Sequence, residues 1–431
     1  MPLFLRSRRR ARLASALIAA IGLLAVAQPP VFAQPSKLPA LALSEALARA
    51  SAADPAGPAA EARLEAARAG LRQAGVRPNP SLAVELENFV GTGAYSLLDR
   101  TEATVAYEQT FERGGKRGAR TEVAAAEIEV VRLRREVRRL DFAKAVQAAY
   151  VEAQAAEAEL VIADARLIAA RRSQADIDRR VKSARDPLFA GARAETLTAQ
   201  AEIARDQARQ AAEDARAALA AHWGGAPDFS LDLEAFFQTD PARGSVAVDT
   251  PDLALLAATR DVAMARVGLE RARQAVDPTL RAGLRYFGDG SDVAFVVGGT
   301  IPLRRFDTNL AGVERALAER NAAEADIVAA RLERDREIAR LTARVAASAR
   351  ESERLRAEVT PTAIRTVDLV LEGFNRGGFQ YVDVTEAERA LADIRARRVA
   401  LLRQHHLDRA ALDRLTARHA TAPTPNTETR P

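Results

Sequence analysis

The sequence predicts a mainly α-helical chain with a small β part, in which a helix–strand–strand–long helix–helix unit occurs twice. Three observations predict it. Apolar residues recur every seven positions through segments far longer than an ordinary helix. Four short stretches alternate apolar and polar residues at strand spacing. The second half of the chain repeats the order of the first at an offset of about 190 residues. Composition agrees: alanine and arginine dominate, glycine and proline are sparse and aromatics make up only 5%, a bias towards long or coiled helices.

The first segment reads as an export leader. "RSRRRAR" is a basic n-region and "LASALIAAIGLLAVA" an apolar h-region, closed by small residues at Ala25–Ala27 and again at Val31–Ala33. Cleavage after Ala33 is favoured over Ala27, which makes residues 1–33 a signal peptide. The alternative is an N-terminal anchor, for which the run is short. The leader carries Arg6, Arg8, Arg9, Arg10 and Arg12 and no acid, so the formal +5 of the whole chain falls to about zero without it. The basic balance therefore predicts no nucleic-acid partner. No other apolar run has the length of a membrane helix. With no cysteine in 431 residues, disulfides, thiolate metal sites and cysteine nucleophiles are excluded.

The body of the chain, 34–418, divides into repeat 1 (about 41–222), an intervening segment (about 223–250) and repeat 2 (about 251–418). Each repeat begins with an Ala/Arg-rich helix, about 41–76 and 251–276. The strands follow at about 79–89, 101–111, 279–288 and 292–302. Long helices come next, about 117–184 and 306–376, then a break and a last helix, about 192–222 and 381–418. Pro361 is expected to kink the second long helix, and Asp307 to cap its start. The polar, proline-containing tail 419–431 reads as disordered.

The long helices carry a coiled-coil seam. Val146, Ala153, Leu160, Leu167 and Val181 lie seven or fourteen apart, beside an alanine row that ends in Ile177. Val123, Val130 and Val137 belong to an earlier register; Ile338, Val345 and Val359 mark the second copy. Roughly 65 helical residues span about 100 Å, too long for a globular domain of this size, so these helices form a rod or a tube wall. The strands set Leu82, Val84 and Leu86 against Ser81, Ala83, Glu85 and Glu87, and Leu280, Leu284 and Tyr286 against Arg281, Arg285 and Phe287. That pattern fits a membrane β-barrel strand with lipid on one side and water on the other; a soluble sheet beneath the helices is the alternative. Four strands cannot close such a barrel, and three copies would supply twelve, which favours a symmetric oligomer.

Five stretches, in this order, carry a family resemblance: "LALSEALARASAADP", "RPNPSLAVELEN", "YEQTFERGGKRGAR", "VVGGTIPLRRFDTN" and "EGFNRGGFQYVDVTEAERALADIRA". The chain resembles the TolC-type outer-membrane factors, and more narrowly their heavy-metal (cobalt-zinc-cadmium) efflux branch. The resemblance implies a homotrimer in the outer membrane of a Gram-negative bacterium, with a twelve-stranded β-barrel continued by a periplasmic α-helical coiled-coil barrel. It implies a periplasmic adaptor (membrane fusion protein) and an inner-membrane RND pump as partners, outer-membrane lipid around the barrel, and passive conduction of heavy-metal cations. Drug efflux and type I secretion use similar tubes. An exported coiled-coil spacer or adaptor protein is the reading from a different class.

Candidate sites follow. Gly114, Gly115 and Gly118, with Pro302 as counterpart, turn strand into helix; a phosphate-cradling loop is excluded because the G-x-x-x-x-G-K pattern is missing. Arg376, Gly377, Gly378 and Phe379 form the hairpin tip that the resemblance assigns to the adaptor. Asp383 and Glu386, three apart on one helix face, match the acids that ring the periplasmic mouth in TolC-like proteins, where a carboxylate ring attracts cations. The plainer reading is that acids in a first turn suit the helix dipole. The first-repeat tip, near "SARDPLFAGARAE", departs from the glycine-centred pattern. His222, His405, His406 and His419 read as exposed helix residues, not metal ligands. Segment 223–250 is a linker by pattern and an equatorial belt by resemblance. No catalytic constellation and no cofactor motif is present, so the chain is expected not to be an enzyme.

Overall fold

The computed structural model describes residues 40–96, 98–239 and 250–419; the expected leader lies outside them. The chain opens with β1 (Ala40–Leu41), α1 (Leu43–Ala52) and α2 (Gly57–Ala74). The single helix expected over 41–76 is thus two. Pro55 and Gly57 interrupt it, the Asp54 carboxylate accepts the Ala56 N–H at 2.9 Å, and Pro58 sits in the first turn of α2, where its missing N–H costs nothing. Next come β2 (Ser81–Glu87), β3 (Glu102–Thr110), α3 (Lys116–Lys182) and α4 (Leu188–Ala221). The intervening segment contributes β4 (Ser230–Leu231) and α5 (Leu233–Phe237). The second repeat is α6 (Pro251–Ala272), β5 (Thr279–Phe287), β6 (Asp292–Thr300), α7 (Leu310–Arg354), α8 (Thr360–Asn375) and α9 (Tyr381–Leu415). Pro361 breaks nothing outright: a π-helical turn, Leu355–Val359, joins α7 to α8, and a widened turn is one way a helix absorbs a missing donor.

Four strands form one antiparallel sheet in the order β2-β3-β5-β6. The register puts Leu82 opposite Tyr107, Val84 opposite Val105, Val105 opposite Leu284 and Leu284 opposite Phe295. One face is therefore apolar across all four strands, and it stands exposed: Leu82 is 69% and Phe295 and Val297 are each 71% accessible. The other face is polar. Arg281 donates to both oxygens of Glu85 at 2.8 and 2.7 Å. Arg285 reaches Glu87 and Glu102, each at 3.0 Å, and the Thr104 hydroxyl at 2.9 Å. Strands β2 and β6 each keep one edge without a partner among the described residues.

The helical part has no single core. Small clusters are strung along α3 instead. Val130 and Leu133 pack on Ala258 and Val262 of α6. Val146, Tyr150 and Ala153 pack on α1, the end of α4 and Phe229. Val151, Ala155 and Ala158 meet Phe236, Val399 and Leu402, and Ile177 meets Ala190, Ala194, Phe374 and Val384. Alanine at the contacts lets helices approach closely, so the wall is thin. The segment 229–237 straps this wall. β1 and β4 pair in parallel, the Tyr150 hydroxyl donates to the Leu41 carbonyl at 2.8 Å, and Gln154 donates to the Asp232 carbonyl at 2.6 Å. Burial, aided by the nearby Asp232 charge, pushes the Tyr150 phenol up to about 12.

The histidines correct an expectation: none of the four is exposed. His405 is fully buried, with Nδ1 3.1 Å from the Val345 carbonyl and 3.2 Å from the Ser348 hydroxyl; His406 Nε2 lies 2.9 Å from the Phe236 carbonyl. Among the described residues no metal-ligating cluster forms. The repeats are tied by Arg414 at the end of α9. It binds both oxygens of Asp252 at 2.6 and 2.9 Å and Asp141 at 2.6 Å, joining α9, α6 and α3, and is only 11% accessible. Arg414→Ala should lower stability by about 2 kcal/mol, in the range for lost charge-assisted hydrogen bonds. Arg414→Lys should recover less than half of it, because a point charge cannot replace the fork; denaturant unfolding of both variants checks this.

Candidate functional site: sheet, elbow and helical tips

The sheet joins the helices through a braced elbow. Between β3 and α3, Gly114 and Gly115 take φ values of +72° and +75°, a conformation that favours glycine. A side chain at Gly114 would also strike Ala275: an added Cβ lies 2.3 Å from the Ala275 Cβ and 2.9 Å from the Ala272 carbonyl. Gly118 is different. It lies inside the first turn of α3 with open space around it, so it takes no part in the turn. On the other side, Pro302 stands just past the end of β6. Helix α7 starts later than expected. Asn309, with φ +56°, flanks Leu310, while Asp307 only accepts the Asn309 N–H at 2.9 Å. The Asn309 amide donates to the Glu270 carbonyl and carboxylate at 2.9 and 2.8 Å.

Ion pairs lock this elbow. Lys116 Nζ lies 2.6 Å from Asp277, which also accepts the Arg113 N–H at 2.9 Å. Arg120 pairs with Glu112 and donates to the carbonyls of Ala74 and Val76, each at 3.2 Å. The end of α2, the exit of β3, the start of α3 and the entry to β5 therefore meet at one point. The Arg120 hydrogen bond holds the Glu112 carboxyl below its usual range. Burial works to raise Asp277, but the bonds from Lys116 and the Arg113 N–H outweigh it, and its carboxyl is lowered too.

The far ends of the helices form two tips. In the second repeat, Gly377 takes φ +83°, Gly377 N–H donates to the Phe374 carbonyl at 3.0 Å and Gly378 N–H to the Gly373 carbonyl at 2.8 Å. This is a Schellman cap. Arg376 pairs with Glu372, and Phe379 lies over Gly373 while staying half exposed. The first-repeat tip makes the same cap without glycine: Ala184 has φ +57° and Arg185 N–H donates to the Arg180 carbonyl at 2.9 Å. Ala184 is thus the structural counterpart of Gly377, a match the sequence pattern hid. Leu188 and Phe189 follow, 83% and 71% accessible.

The acidic pair divides. Asp383 accepts the Gln380 N–H at 2.8 Å and completes a capping box at the start of α9, while Glu386 is exposed. Two further residues join the site that sequence reasoning missed. Arg180 of α3 pairs with Asp186 at 2.6 Å, donates to the Phe374 carbonyl at 2.9 Å and lies 4.3 Å from the Phe374 ring centre, so one side chain bridges both tips. Glu388 of α9 lies 3.5 Å from the Ser173 hydroxyl of α3; burial raises its carboxyl above the usual range, opposed by that hydrogen bond. The signal for Glu388 was its place two residues beyond Glu386. Arg180 offered none, because Phe374 is remote in sequence and Asp186 lies beyond the end of the helix.

A two-faced sheet on helices of this length has a clear parallel among known proteins. The family model described as "Outer membrane efflux protein" matches residues 46–225 and 244–418. The chain belongs to this family of outer-membrane efflux proteins. The curated cobalt-zinc-cadmium resistance protein CzcC of Cupriavidus metallidurans is 28% identical over 396 residues, covering 90% of this chain and 93% of the relative. The nickel and cobalt resistance protein CnrC of the same organism is 29% identical, covering 65% and 67%. In fold, the outer membrane protein VceC of Vibrio cholerae superposes with a TM-score of 0.70 at 21% identity, covering 87% of this chain and 95% of that one.

The efflux protein is therefore an outer-membrane channel component of a tripartite efflux system, reaching from the outer membrane into the periplasm. Gly114→Ala should destabilise this efflux protein by more than 1 kcal/mol, from strain and clash together, whereas Gly118→Ala should be neutral or stabilise by up to about 1 kcal/mol; paired melting curves distinguish them. The elbow carboxylates set a pH window. Their folded pKa values lie below the unfolded ones, so the stability they contribute is present above the ordinary carboxylate value of about 4 and is lost as pH falls through the folded values. Unfolding followed at the elbow should be flat from about pH 7 to 5 and weaken below about pH 4, and Glu112→Gln should blunt that acid limb.

Proposed function

We propose that three copies of this chain assemble into a passive exit duct for heavy-metal cations. The observation that carries the reading is the four-stranded sheet with an apolar outer face, a polar inner face and two open edges. A strand edge in lipid leaves backbone groups unsatisfied at several kcal/mol each. Pairing β6 of one copy with β2 of the next, three times over, closes a twelve-stranded barrel and removes every edge. The helices then continue the barrel as a coiled-coil tube. Residues 1–33 act as the export leader, and segment 223–250 is the equatorial belt, supported by its bonds to α3 and α9.

The partners are a periplasmic adaptor and an inner-membrane RND pump. Arg376–Phe379 forms one half of the adaptor contact. Leu188 and Phe189, apolar and bare at the first-repeat tip, supply the other half. Cation selection at the mouth falls to Glu386 and Asp383, while Arg180, spanning both tips, holds the mouth shut. The metal assignment is supported by the likeness to CzcC along nearly its whole length.

Two measurements test this. A deletion strain should become sensitive to divalent metals such as zinc, cobalt or cadmium while its drug tolerance is unchanged; the opposite pattern would remove the metal reading. In planar bilayers, the Asp383→Asn/Glu386→Gln double variant should lose about half or more of the cation preference. Asparagine is chosen because it keeps an acceptor for the helix cap, so that selectivity is read apart from folding. Unchanged selectivity would return both acids to a purely structural role.

A further inference from the structure

At the helix end of the sheet, the outward apolar face runs into a band of exposed apolar residues: Phe111 after β3, and Ile301, Leu303 and Phe306 after β6, the last two 89% and 91% accessible. Exposed arginines stand among them: Arg77, Arg113 and Arg117 on one side, and Arg305, whose guanidinium lies 5.5 Å from the Phe306 ring centre, on the other. The acids nearby in the chain are engaged elsewhere. Glu112 is taken by Arg120, Asp277 by Lys116 and Asp307 by the Asn309 backbone. Arg77, Arg113, Arg117 and Arg305 make no ion pair among the described residues, so this rim carries a standing positive charge. Arg77, Lys116 and Arg117 also line a cleft of about 630 Å³ with Pro78, Gln109, Phe111 and Glu112, whose charge is taken up by Arg120. Gln109 belongs to the outward row, opposite Leu280, which places the cleft beside the lipid face.

We propose that this rim is a binding site for anionic phospholipid of the periplasmic leaflet, with phosphate held by Arg77 and Arg117, the exposed Arg113 adding positive charge next to the cleft, and acyl chains lying on the apolar row above. The inference rests on the duct reading, which sets the sheet in the membrane. The observations that favour a lipid over a free anion are continuity and charge. The basic cleft adjoins the exposed apolar band, and both lie where strands give way to helices, the level at which headgroups meet a barrel. Closing the barrel through β6 and the next copy's β2 brings Arg305 and Phe306 of one protomer beside Arg77 of its neighbour, since Ser81 and Thr300 are the helix-side ends of those strands. Three such sites would then lie at the seams, each built from two copies.

The test uses the full chain, purified from membranes and returned to nanodiscs of phosphatidylglycerol or phosphatidylcholine. Each basic residue near an anionic surface contributes about fivefold in affinity. Wild type should therefore retain phosphatidylglycerol over phosphatidylcholine by about tenfold or more in native mass spectrometry. The Arg77→Gln/Arg113→Gln/Arg117→Gln variant should fall to within about twofold, and the corresponding lysine variant should keep most of the preference. None of these side chains braces the elbow, so single-channel conductance should stay unchanged. An equal preference in wild type and the glutamine variant would overturn the proposal, as would complete displacement of the lipid by inorganic phosphate. Normal wild-type conductance with no phosphatidylglycerol preference would sink the lipid site alone; absent conductance would sink the duct.

Discussion

The constraint on which the rest depends is the hydrogen-bonding demand of a strand edge in hydrocarbon. Lipid offers no donor or acceptor, so a sheet can stay there only if its edges find partners. Among the described residues this antiparallel sheet has four strands and no fifth. Its apolar face is continuous across all four, from Leu82 through Val105 and Leu284 to Phe295, so the sheet has no reason to curl over a core of its own. Its polar face is already neutralised in part by Arg281 and Arg285 against four glutamates. Among the described residues nothing covers the edges.

The same incompleteness runs through the helices. A globular domain gathers its apolar residues into one core, whereas here they lie mostly in small clusters along α3, with another between α7 and α9. A wall one or two helices thick cannot do otherwise. The alanine-rich contacts contribute little area each, and hydrogen bonds and ion pairs at a few fixed points supply the rest of the specificity. Arg414 fixes one end of α9 against the other repeat, Arg180 spans the tips, and the Asp277 and Glu112 pairs fix the elbow. Many other ion pairs, such as Glu129 with Arg132 or Glu337 with Arg340, are exposed and local, and contribute little beyond solubility.

Function follows from where rigidity is placed. The elbow is over-determined: two glycines at positive φ, a close approach to Ala275 and two braced carboxylates. It couples the sheet to the helices as one piece. The tips are held by caps, one bridging arginine, the small cluster of Ile177, Ala190, Ala194, Phe374 and Val384, and the poorly solvated Glu388 at the α3–α9 contact.

The sequence by itself determined the class of the fold. A period of seven can bury one stripe only in a long packed helix, and a period of two over nine residues can separate lipid from water only in a strand, so both patterns carry their geometry with them. Val146, Ala153, Leu167 and Ile177 of the seam are buried. The seam fails at Val359, which is exposed because the π-turn before Pro361 adds a residue and rotates the row away. The splitting of α1 from α2 was written in Pro55 and Pro58, but periodicity overrode it. What only the tertiary structure decided are the contacts between residues far apart in the chain. It seated His405 beneath Val345 and Ser348, gave Ala184 the role of Gly377, made Asn309 instead of Asp307 the flank of α7, and brought Arg180 to Phe374. The physical reason is that a local pattern records which face of an element is apolar, while the partner of a polar side chain is set by which helix happens to lie across from it.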